Sequence, residues 1–568
     1  YEALKSNTTG SNNSAFGISA LYSNTSASYN TAIGHAALHL NTTGVNNTAA
    51  GYNSLYTNTT GYENVGLGVY ALKENVTGNF NTAVGTEALY NNNASDNTAV
   101  GRRALYSNTS GTNNTAVGRN TLATNTTGSY NTAVGRESLL ANTTGETNVA
   151  IGYETLKTNT TASNNTAVGY HALKFNTATA NTALGMQALY ENSTGIQNTA
   201  SGMQCLSSNT TGSYNTGTGY RAFYLNTTGQ MNTAVGSYVL YANITGGNNA
   251  AFGKGALQTN TTASNNVAIG FEALNKNTTG SNNVASGKYA LYNNTTASSN
   301  VSVGCEALFS NTTGDNNAAS GYQSLYSNTT GSRNTAFGVK ALHNCTTATN
   351  NTAVGTDALY AATTGAQQGN VAVGDQAGNL ITTGKRNVCI GYKAARTLST
   401  GDDNVYIGWH HNASGAGVGK EFVIGSAGTG KGTRTFFTTA DSGVYHGGNT
   451  TTWSTTSDRR IKKKITDNNE GLSIINQIAV KNFEYKTAEE VEAAGEVPIT
   501  DAVSKTGTQI GVIAQELQEV RSNWVTTRDN GTLAVTGTDE IIWHLVNAVQ
   551  ELSAENTALK SRLDAAGL

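Results

Sequence analysis

The segment Ser457-Asp458-Arg459-Arg460-Ile461-Lys462-Lys463-Lys464-Ile465 is the part of this chain whose residue types and spacing suit covalent chemistry. A serine hydroxyl is inert at its own pKa and needs a neighbouring base to become a nucleophile. A lysine can accept that proton only if desolvation or nearby positive charge lowers its pKa. The segment supplies positive charge through Arg459, Arg460, Lys463 and Lys464. The alternative interpretation is an exposed basic turn that holds an ordinary serine.

The same segment resembles the Ser-Asp-x-Arg-x-Lys signature that opens the peptidase S74 domain, the intramolecular chaperone of phage tail spikes and fibres. Further segments with the same resemblance follow in the expected order. Leu-Ser-Ile-Ile-Asn-Gln-Ile at 472–478 leads into Asn-Phe-Glu-Tyr-Lys at 482–486, and Gly-Val-Ile-Ala-Gln-Glu-Leu follows at 511–517. The resemblance spans about residues 457–568 and implies a small α+β chaperone domain.

The resemblance also implies a self-cleaving site. In this family the serine and the lysine five positions later form a dyad that cuts the chain immediately before the serine. Carried over, Ser457 is the nucleophile, Lys462 is its base, and the bond between Thr456 and Ser457 is cleaved. Asp458 and Arg460 match the motif as orienting residues. The implied enzyme is a serine peptidase that acts once on its own chain, and no activity is predicted for the rest of the molecule.

The last helix-forming segment, about residues 540–565, has the pattern of a coiled coil. Apolar residues recur at alternating spacings of three and four, and one polar position of the kind that fixes register interrupts them. The seam residues are Ile542, Leu545, Val549, Leu552, Asn556, Leu559 and Leu563. A surface helix with an ordinary amphipathic stripe is the alternative. We expect the partner of this stripe to be two further copies of the chain.

A repeat array occupies most of the chain before this C-terminal part. Twenty-five glycines recur with a spacing of about 17 residues, and nearly every one closes a variant of Asn-Thr-Ala-Val-Gly. Three steps depart from this spacing: Gly85 to Gly101 and Gly169 to Gly185 are each one residue shorter, and Gly355 to Gly374 is two residues longer. Self-similarity of this strictness indicates a repeat architecture in which each unit packs against its neighbours.

One repeat, Asn30 to Asn46, combines a short apolar run with turns. Thr31-Ala32-Ile33 alternates in period 2 before its glycine, which predicts a very short strand with the Thr and Ile positions inward. Ala37-Leu38 adds a second apolar contact, and the Asn-Thr-Thr-Gly and Asn-Asn segments favour turns. A repeat of this length and composition predicts one flattened coil of two short strands.

The repeat therefore predicts a mainly β fold, a repetitive parallel β-roll or solenoid with about 17 residues per coil. The single proline, Pro498, lies beyond the array, as expected if the strands are paired above and below. Asn stands four residues before the glycine in 24 of 25 copies, with Glu421 as the exception, which predicts a ladder of stacked amides. At about 4.8 Å per strand, the coils would span roughly 120 Å.

The phrase Asn-Val-Ala-Ile-Gly at 148–152 and 266–270 resembles the head repeats of trimeric autotransporter adhesins of the YadA type. The resemblance covers about residues 1–425 and implies left-handed parallel β-rolls assembled as a homotrimeric fibre. The repeat unit in those adhesins is usually shorter by three residues.

Composition separates the array from the C-terminal part. Residues 457–568 hold 29 charged residues in 112, whereas residues 1–456 hold 39. We predict a repeat array at 1–425, a Gly/Thr-rich neck at 426–456 and the chaperone domain at 457–568. Because Tyr1 lies inside a repeat, we expect the array to be truncated at its N-terminus and to lack its natural anchor.

The sequence predicts no cofactor, no metal site, no nucleic-acid partner and no membrane insertion. The net charge of −2 leaves no broad basic surface, and no apolar run reaches membrane-spanning length. Gly425 to Lys431 imitates a phosphate-binding loop, but Gly432 stands where Ser or Thr should ligate Mg²⁺. His410-His411 lacks further ligands at metal spacing. The four cysteines occupy different places in their repeats and are expected to be isolated thiols.

Two columns of the array leave binding alternatives open. Tyr recurs five residues after the glycine, as at Tyr56 and Tyr90, and could stack on sugar rings or pack between chains. Threonine pairs such as Thr42-Thr43 also fit a flat ice-binding solenoid. Acidic pairs for glycosidase chemistry are nearly absent from the array.

The predicted function is that of a structural homotrimeric fibre, a phage tail fibre that attaches to a glycan or protein receptor on a host surface. Its C-terminal chaperone would trimerise the chains and then cleave itself off, and its location would be extracellular, on the virion. The alternative is a trimeric adhesin on a bacterial cell surface, or an extracellular filament, that retains its C-terminal domain.

Overall fold

Each copy of the Asn-Thr-Ala-Val-Gly phrase forms a short strand, and 25 such strands, β1 to β25, form one sheet. The strand ends before its glycine in β1 to β23 and runs through it in β24 and β25. A computed structural model describes residues 1–363, 369–426, 436–438, 444–446, 470–487, 490, 507–527, 533–535 and 538–566. Each strand pairs in parallel with the next one along the chain, so that Ala32 lies beside Ala49 and Ala49 beside Gly66. The predicted parallel β-solenoid, in which each repeat forms one coil, is confirmed.

The strands of this sheet are Ser14–Phe16, Thr31–Ile33, Thr48–Ala50, Val65–Leu67, Thr82–Val84, Thr98–Val100, Thr115–Val117, Thr132–Val134, Val149–Ile151, Thr166–Val168, Thr182–Leu184, Thr199–Ser201, Thr216–Thr218, Thr233–Val235, Ala250–Phe252, Val267–Ile269, Val284–Ser286, Val301–Val303, Ala318–Ser320, Thr335–Phe337, Thr352–Val354, Val371–Val373, Val388–Ile390, Val405–Trp409 and Phe422–Ser426.

The inward residue of each strand is the central one, usually alanine, and the prediction that the Thr and Ile positions face inward was wrong. Ala32 is fully buried, whereas Ile33 is 49% exposed. The core of most coils is filled by a leucine from the segment after the glycine, Leu38 in this coil, which is also fully buried. That leucine leaves room for only a methyl group on the strand, so the larger residues of the strand face outward.

The Ala-Leu segment after each glycine is buried as predicted, but it is not a second strand. Ala37 and Leu38 are fully buried, while φ is +54° at Ala36 and +52° at Leu38. Left-handed backbone of this kind cannot continue a strand. The segment nevertheless bonds from coil to coil, since the Leu38 N–H donates to the Ser54 carbonyl over 3.0 Å. Within the described coils, each repeat therefore contributes one short strand and a set of turns.

The predicted ladder of strand asparagines is present and fully buried. The backbone N–H of Asn64 donates to the side-chain oxygen of Asn47 over 3.0 Å, and its amide Nδ2 donates to the same oxygen over 3.1 Å. Nδ2 also donates to the Gly78 carbonyl over 2.8 Å and so ties the strand to the next turn. The ladder ends at Glu421, whose N–H donates to Asn404 Oδ1 over 2.7 Å.

A second asparagine ladder, not predicted from the sequence, runs through the first residue of the Asn-Thr-Thr-Gly turns. Asn226 Nδ2 donates to Asn209 Oδ1 over 2.7 Å and to the Gly229 carbonyl over 3.1 Å. Asn226 Oδ1 in turn accepts from Asn243 Nδ2 over 2.7 Å. After Asn328 the position passes to buried apolar or thiol side chains, namely Cys345, Ala362, Ile381 and Leu398.

Replacing Asn226 by alanine should destabilise its own coil and the two neighbouring coils. The change removes two donated hydrogen bonds and leaves the buried Nδ2 of Asn243 without its side-chain acceptor, a loss of about 2–4 kcal/mol. Hydrogen exchange followed by mass spectrometry should show faster exchange confined to this region, because each repeat contacts only its neighbours. The exposed Thr228→Ala, two residues away, is the control and should leave exchange unchanged. Equal effects of the two changes would contradict a structural role for the ladder.

The chain divides into two compact units, Tyr1–Trp453 and Ser454–Leu568. After the large sheet, the first unit has an antiparallel pair, β26 (Phe436–Thr438) and β27 (Val444–His446). Helix α1 (Leu472–Ile475) is the first described element of the second unit, and β28 (Lys481–Phe483) then pairs antiparallel with β29 (Gln509–Gly511).

Helix α2 (Ala514–Val520) and a 3-10 turn (Ser522–Trp524) precede the antiparallel pair of β30 (Val525–Thr527) and β31 (Leu533–Val535). The long helix α3 (Thr538–Ala565) ends the second unit. A small core of Ile474, Leu517, Trp524 and Val525 holds the unit together. The prediction of a small C-terminal α and β region that ends in a helix is confirmed. Among the described helices, none is long and apolar enough to cross a membrane.

Candidate functional site

The predicted catalytic residues lie outside the described part of the chain. This holds for Ser457 and Lys462, for the supporting residues Asp458 and Arg460, and for Thr456 on the other side of the predicted cleavage point. Most of the predicted neck, residues 427–435, 439–443 and 447–456, lies there too. The dyad and the neck therefore remain predictions from the sequence.

Helix α3 is held in the second unit by one face near its N-terminal end. The indole N–H of the fully buried Trp524 donates to Glu540 Oε2 over 2.5 Å. His544 and Ala548 follow Glu540 at intervals of four residues, on the same face of α3, and both are buried against the same unit. Glu551 Oε2 accepts from the backbone N–H of Leu472 over 2.7 Å, which ties α3 to the start of α1. These contacts determine which face of α3 is directed inward.

The predicted coiled-coil seam lies on the part of α3 that this packing leaves uncovered. Val549 is 60% exposed and Leu559 is 52% exposed. All seven seam residues are exposed or partly so: Ile542, Leu545, Val549, Leu552, Asn556, Leu559 and Leu563. Every described residue of α3 from Leu552 onward is exposed, so this half of the helix is not covered by any other described part of the chain. An isolated helix of this length is marginal in water, and its apolar stripe needs a partner.

The aromatic column five residues after the repeat glycine stacks mainly on itself. Phe309 and Tyr326 have ring centroids 5.2 Å apart and are nearly parallel, and Tyr326, His343 and Tyr360 continue the stack at 5.2 and 5.1 Å. The faces of these rings are therefore covered by neighbouring rings of the same chain. A sugar ring could reach their edges but could not insert between them, which weakens the stacking alternative for this stretch.

The most highly charged cluster described on the array surrounds Glu154, which is 7% exposed. Its carboxylate lies 2.8 Å from Lys157 Nζ and 2.7 Å from Lys174 Nζ. Hydrogen bonds from these two lysines lower the pKa of Glu154 to about 2. Its stabilising contribution is therefore complete above the ordinary carboxyl pKa of about 4.3 and is lost only as the pH falls towards the lowered value. Burial, followed by the charge of Lys174, lowers the pKa of His171 beside it. The cluster links neighbouring coils through ion pairs.

The described residues contain no group of three or more His, Cys, Asp or Glu that could hold a metal ion. His411 is buried and contacts the Gly425 carbonyl, 2.6 Å away, while His410 contacts Arg396 over 3.1 Å. The phosphate-loop imitation beyond Ser426 lies outside the described residues.

The four cysteines are free thiols, as predicted. Burial raises the pKa values of Cys205, Cys345 and Cys389 to about 12, so these thiols stay protonated at neutral pH. They act as small core side chains.

Comparison with known families bears on the second unit. Residues 457–526 match the family model of Peptidase_S74, described as the chaperone of endosialidase. Within the C-terminal part, residues 457–526 are therefore similar to the chaperone of endosialidase. The matched range includes the predicted dyad, α1, β28, β29 and α2, ends within β30 and does not reach α3. No curated protein and no solved structure matches the chain.

The outward strand residues were missed as candidates from the sequence. They form two outward columns along the sheet, because the central residue faces the core. The column one residue before each glycine is mostly exposed, and the column three residues before it is mostly half-buried. A feature of the sequence could have singled out these two positions, because no copy of the repeat places a charged residue at either of them.

Proposed function

We propose that this chain is a structural fibre of three identical copies, assembled by its C-terminal chaperone domain. The observation that carries the proposal is the match of residues 457–526 to the chaperone of endosialidase, in a chain whose preceding part forms a parallel sheet of 25 similar strands. A long repeat array needs help in assembly because its neighbouring strands are so similar that chains can pair out of register.

Neighbouring strands of the array are nearly interchangeable. Thr115, Ala116 and Val117 pair with Thr132, Ala133 and Val134, the same three residue types. Two chains shifted by one coil would therefore meet almost the same side chains as two chains in correct register. Parallel pairing over long distances is also slow and prone to aggregation. A C-terminal device that aligns three chains before the arrays pack would remove the shifted arrangements.

Helix α3 is suited to be that device. Its seam is uncovered in the single chain and has the three-four spacing of a parallel coiled coil. The polar Asn556 in the seam would fix the register of the helices, and with it the register of the arrays. The seam side chains are exposed among the described residues of their unit, which favours the coiled coil over the ordinary amphipathic surface helix.

We further propose that the domain releases the fibre by cutting between Thr456 and Ser457. Ser457 Oγ attacks the carbonyl carbon of Thr456 while Lys462 accepts the hydroxyl proton, and the bond from that carbon to the Ser457 nitrogen breaks. The nitrogen takes a proton as it leaves, and water then hydrolyses the ester on Ser457. Loss of the aligning domain would make unfolding effectively irreversible, because the separated fibre cannot retrace its folding path.

The proposed location is outside the cell, on a virion, with the array as a tail fibre that reaches a glycan or protein on a host surface. A chaperone domain named for endosialidase supports this assignment over the cell-surface adhesin. Retention of the C-terminal domain in the mature protein would instead favour the adhesin or filament.

Disrupting the seam should abolish the trimer. In a chain kept whole by Ser457→Ala, the pair Leu552→Asp and Leu559→Asp should convert a trimer into monomers or aggregates, because three carboxylates would meet at each layer of the seam. Light scattering after size-exclusion chromatography measures the mass.

The matched control is Ala554→Asp with Ser561→Asp, which adds the same charge on the side of α3 away from the seam and should leave the trimer intact. A monomeric parent chain would overturn the proposed fibre. A trimer that survives the seam changes would show that α3 is not the trimerising element.

A further inference from the structure

The outward side of the large sheet carries a continuous uncharged surface, which we call the strand face. It consists of the residues one and three positions before each of the 25 repeat glycines. None of these positions holds Asp, Glu, Lys or Arg, and 20 of the 25 positions next to the glycine hold Val, Ile, Leu or Phe. Ile33 is 49%, Ile269 45% and Phe337 46% exposed.

The strand face has no charged residues, although charged residues occur at the position directly after the repeat glycine. The position just after the glycine holds Arg102, Arg119 and Arg136 in three successive coils, and Lys254 and Lys288 further along. Other copies hold apolar residues at this position, such as Ile18, Val69 and Phe271, so the charge beside the strand face is local to a few coils. The strand face itself is uncharged in every coil, as the depletion of charge at the centre of protein interfaces leads one to expect. Its exposed apolar area, on the order of 1,000 Å², exceeds what monomers usually expose and reaches the size of a stable contact.

The irregular coils leave the strand face unbroken. Across the shortened step from Gly85 to Gly101, Thr82 still pairs with Thr98 and Val84 with Val100. Across the lengthened step that follows Gly355, Val354 pairs with Val373. The changes in coil length therefore leave the strand register intact. The strand face is thus regular enough to match a partner that has the same coil spacing.

We propose that the strand face is the surface through which copies of this chain pack against one another along the array. A partner that covers it must present the same strand spacing, about 4.8 Å per coil, over the same number of coils. A copy of this chain in the same orientation meets that requirement, because rotation about an axis along the array keeps every coil at its own level. This inference rests on the proposed trimer and assigns its contact surface in the first unit.

The strand face is tested by photo-crosslinking of the full-length chain. The photoreactive residue p-benzoylphenylalanine replaces Val235 or Ile269 on the strand face, or, as controls in the same coils, Met231 or Asn265. Met231 is 55% exposed, more than Val235 at 38%, so accessibility alone favours the control. After irradiation, the strand-face positions should give at least tenfold more covalently linked dimer and trimer on a denaturing gel.

The outcomes separate this inference from the proposed fibre. A trimer by light scattering that crosslinks from Met231 or Asn265 but not from Val235 or Ile269 would overturn the strand-face assignment and leave the trimer standing. A trimer that crosslinks from none of the four positions would also overturn it, because the arrays would then be apart and the strand face open to another ligand. A monomer without crosslinks would overturn both proposals.

Discussion

The Ser457→Ala chain should stay whole, whereas the parent chain should separate into two fragments, 1–456 and 457–568. The hydroxyl is the proposed nucleophile, and a methyl group in its place removes the atom that attacks the Thr456 carbonyl. Loss of a nucleophile of this kind lowers the rate by about 10³-fold or more. Intact-mass spectrometry of the purified chains measures the result, and sequencing of the small fragment should begin at Ser457.

The lysines of the same segment provide a matched pair. Lys462→Met should block cleavage because the proposed base is lost, whereas Lys463→Met removes the same charge one residue away and should slow cleavage far less. Cleavage of the Ser457→Ala chain at the same bond would overturn the dyad. A parent chain that remains whole would leave the C-terminal domain as a permanent trimeriser and would favour the retained-domain filament.

The existence and pitch of the solenoid could be predicted because the glycine spacing and the buried asparagines repeat strictly. Which strand side chains face the core and which face outward could not be predicted from the sequence. An alternation of three residues, such as Thr31-Ala32-Ile33, defines two faces without stating which one is inside. Hydrophobicity favoured Ile33, but the coil has one leucine, Leu38, that already fills its centre. The volume left inside the coil beside Leu38 therefore determines that the small Ala32 faces inward and Ile33 faces outward.

Two coils contain a signal that would have revealed the inward position. Where Ser54 replaces the usual alanine after the glycine, the strand alanine of the next coil becomes Gly66, and where Cys205 does so it becomes Gly217. A Cβ atom at Gly66 would lie 2.6 Å from Ser54 Oγ, and one at Gly217 would lie 2.6 Å from Cys205 Sγ. These two positions therefore share the interior, although Ser138 accommodates Ala150 in the same relation and its Oγ donates to the Ala150 carbonyl over 2.9 Å.

The candidate site was predictable in part. The three-four spacing of α3 indicated an apolar seam, but the same spacing would serve a helix packed on its own domain. The choice depends on which residues the rest of the unit covers, namely His544 and Ala548 rather than Val549 and Leu552. That information lies in the packing of α1 and Trp524, which no periodicity in the helix encodes.

Gly253→Ala should destabilise the array at one coil by about 3–5 kcal/mol, because a strained backbone conformation combines with a steric clash. Gly253 has φ +125°, and a Cβ atom on it would lie 2.5 Å from the Gly270 carbonyl oxygen. Relief of that clash requires the next coil to move, which would weaken the 2.8 Å hydrogen bond from the Gly270 N–H to the Phe252 carbonyl. Hydrogen exchange should therefore rise in peptides covering residues 236–287 and stay normal in distant coils, since the coils are coupled only to their neighbours.

The control is Gly247→Ser, six residues earlier in the same coil. It tests whether the effect of Gly253→Ala comes from the backbone conformation of the repeat glycine and not from loss of any glycine in this coil. Serine already occupies the equivalent position in the next coil, where Ser264 Oγ accepts the Gly247 N–H over 3.0 Å. A serine at 247 would offer the same acceptor to the Gln230 N–H and should leave exchange unchanged or slower. If Gly253→Ala and Gly247→Ser had the same effect, the glycine column would not be required by backbone geometry. The recurrence of glycine in every copy would then need another cause, because its close approach to the next coil would no longer account for it.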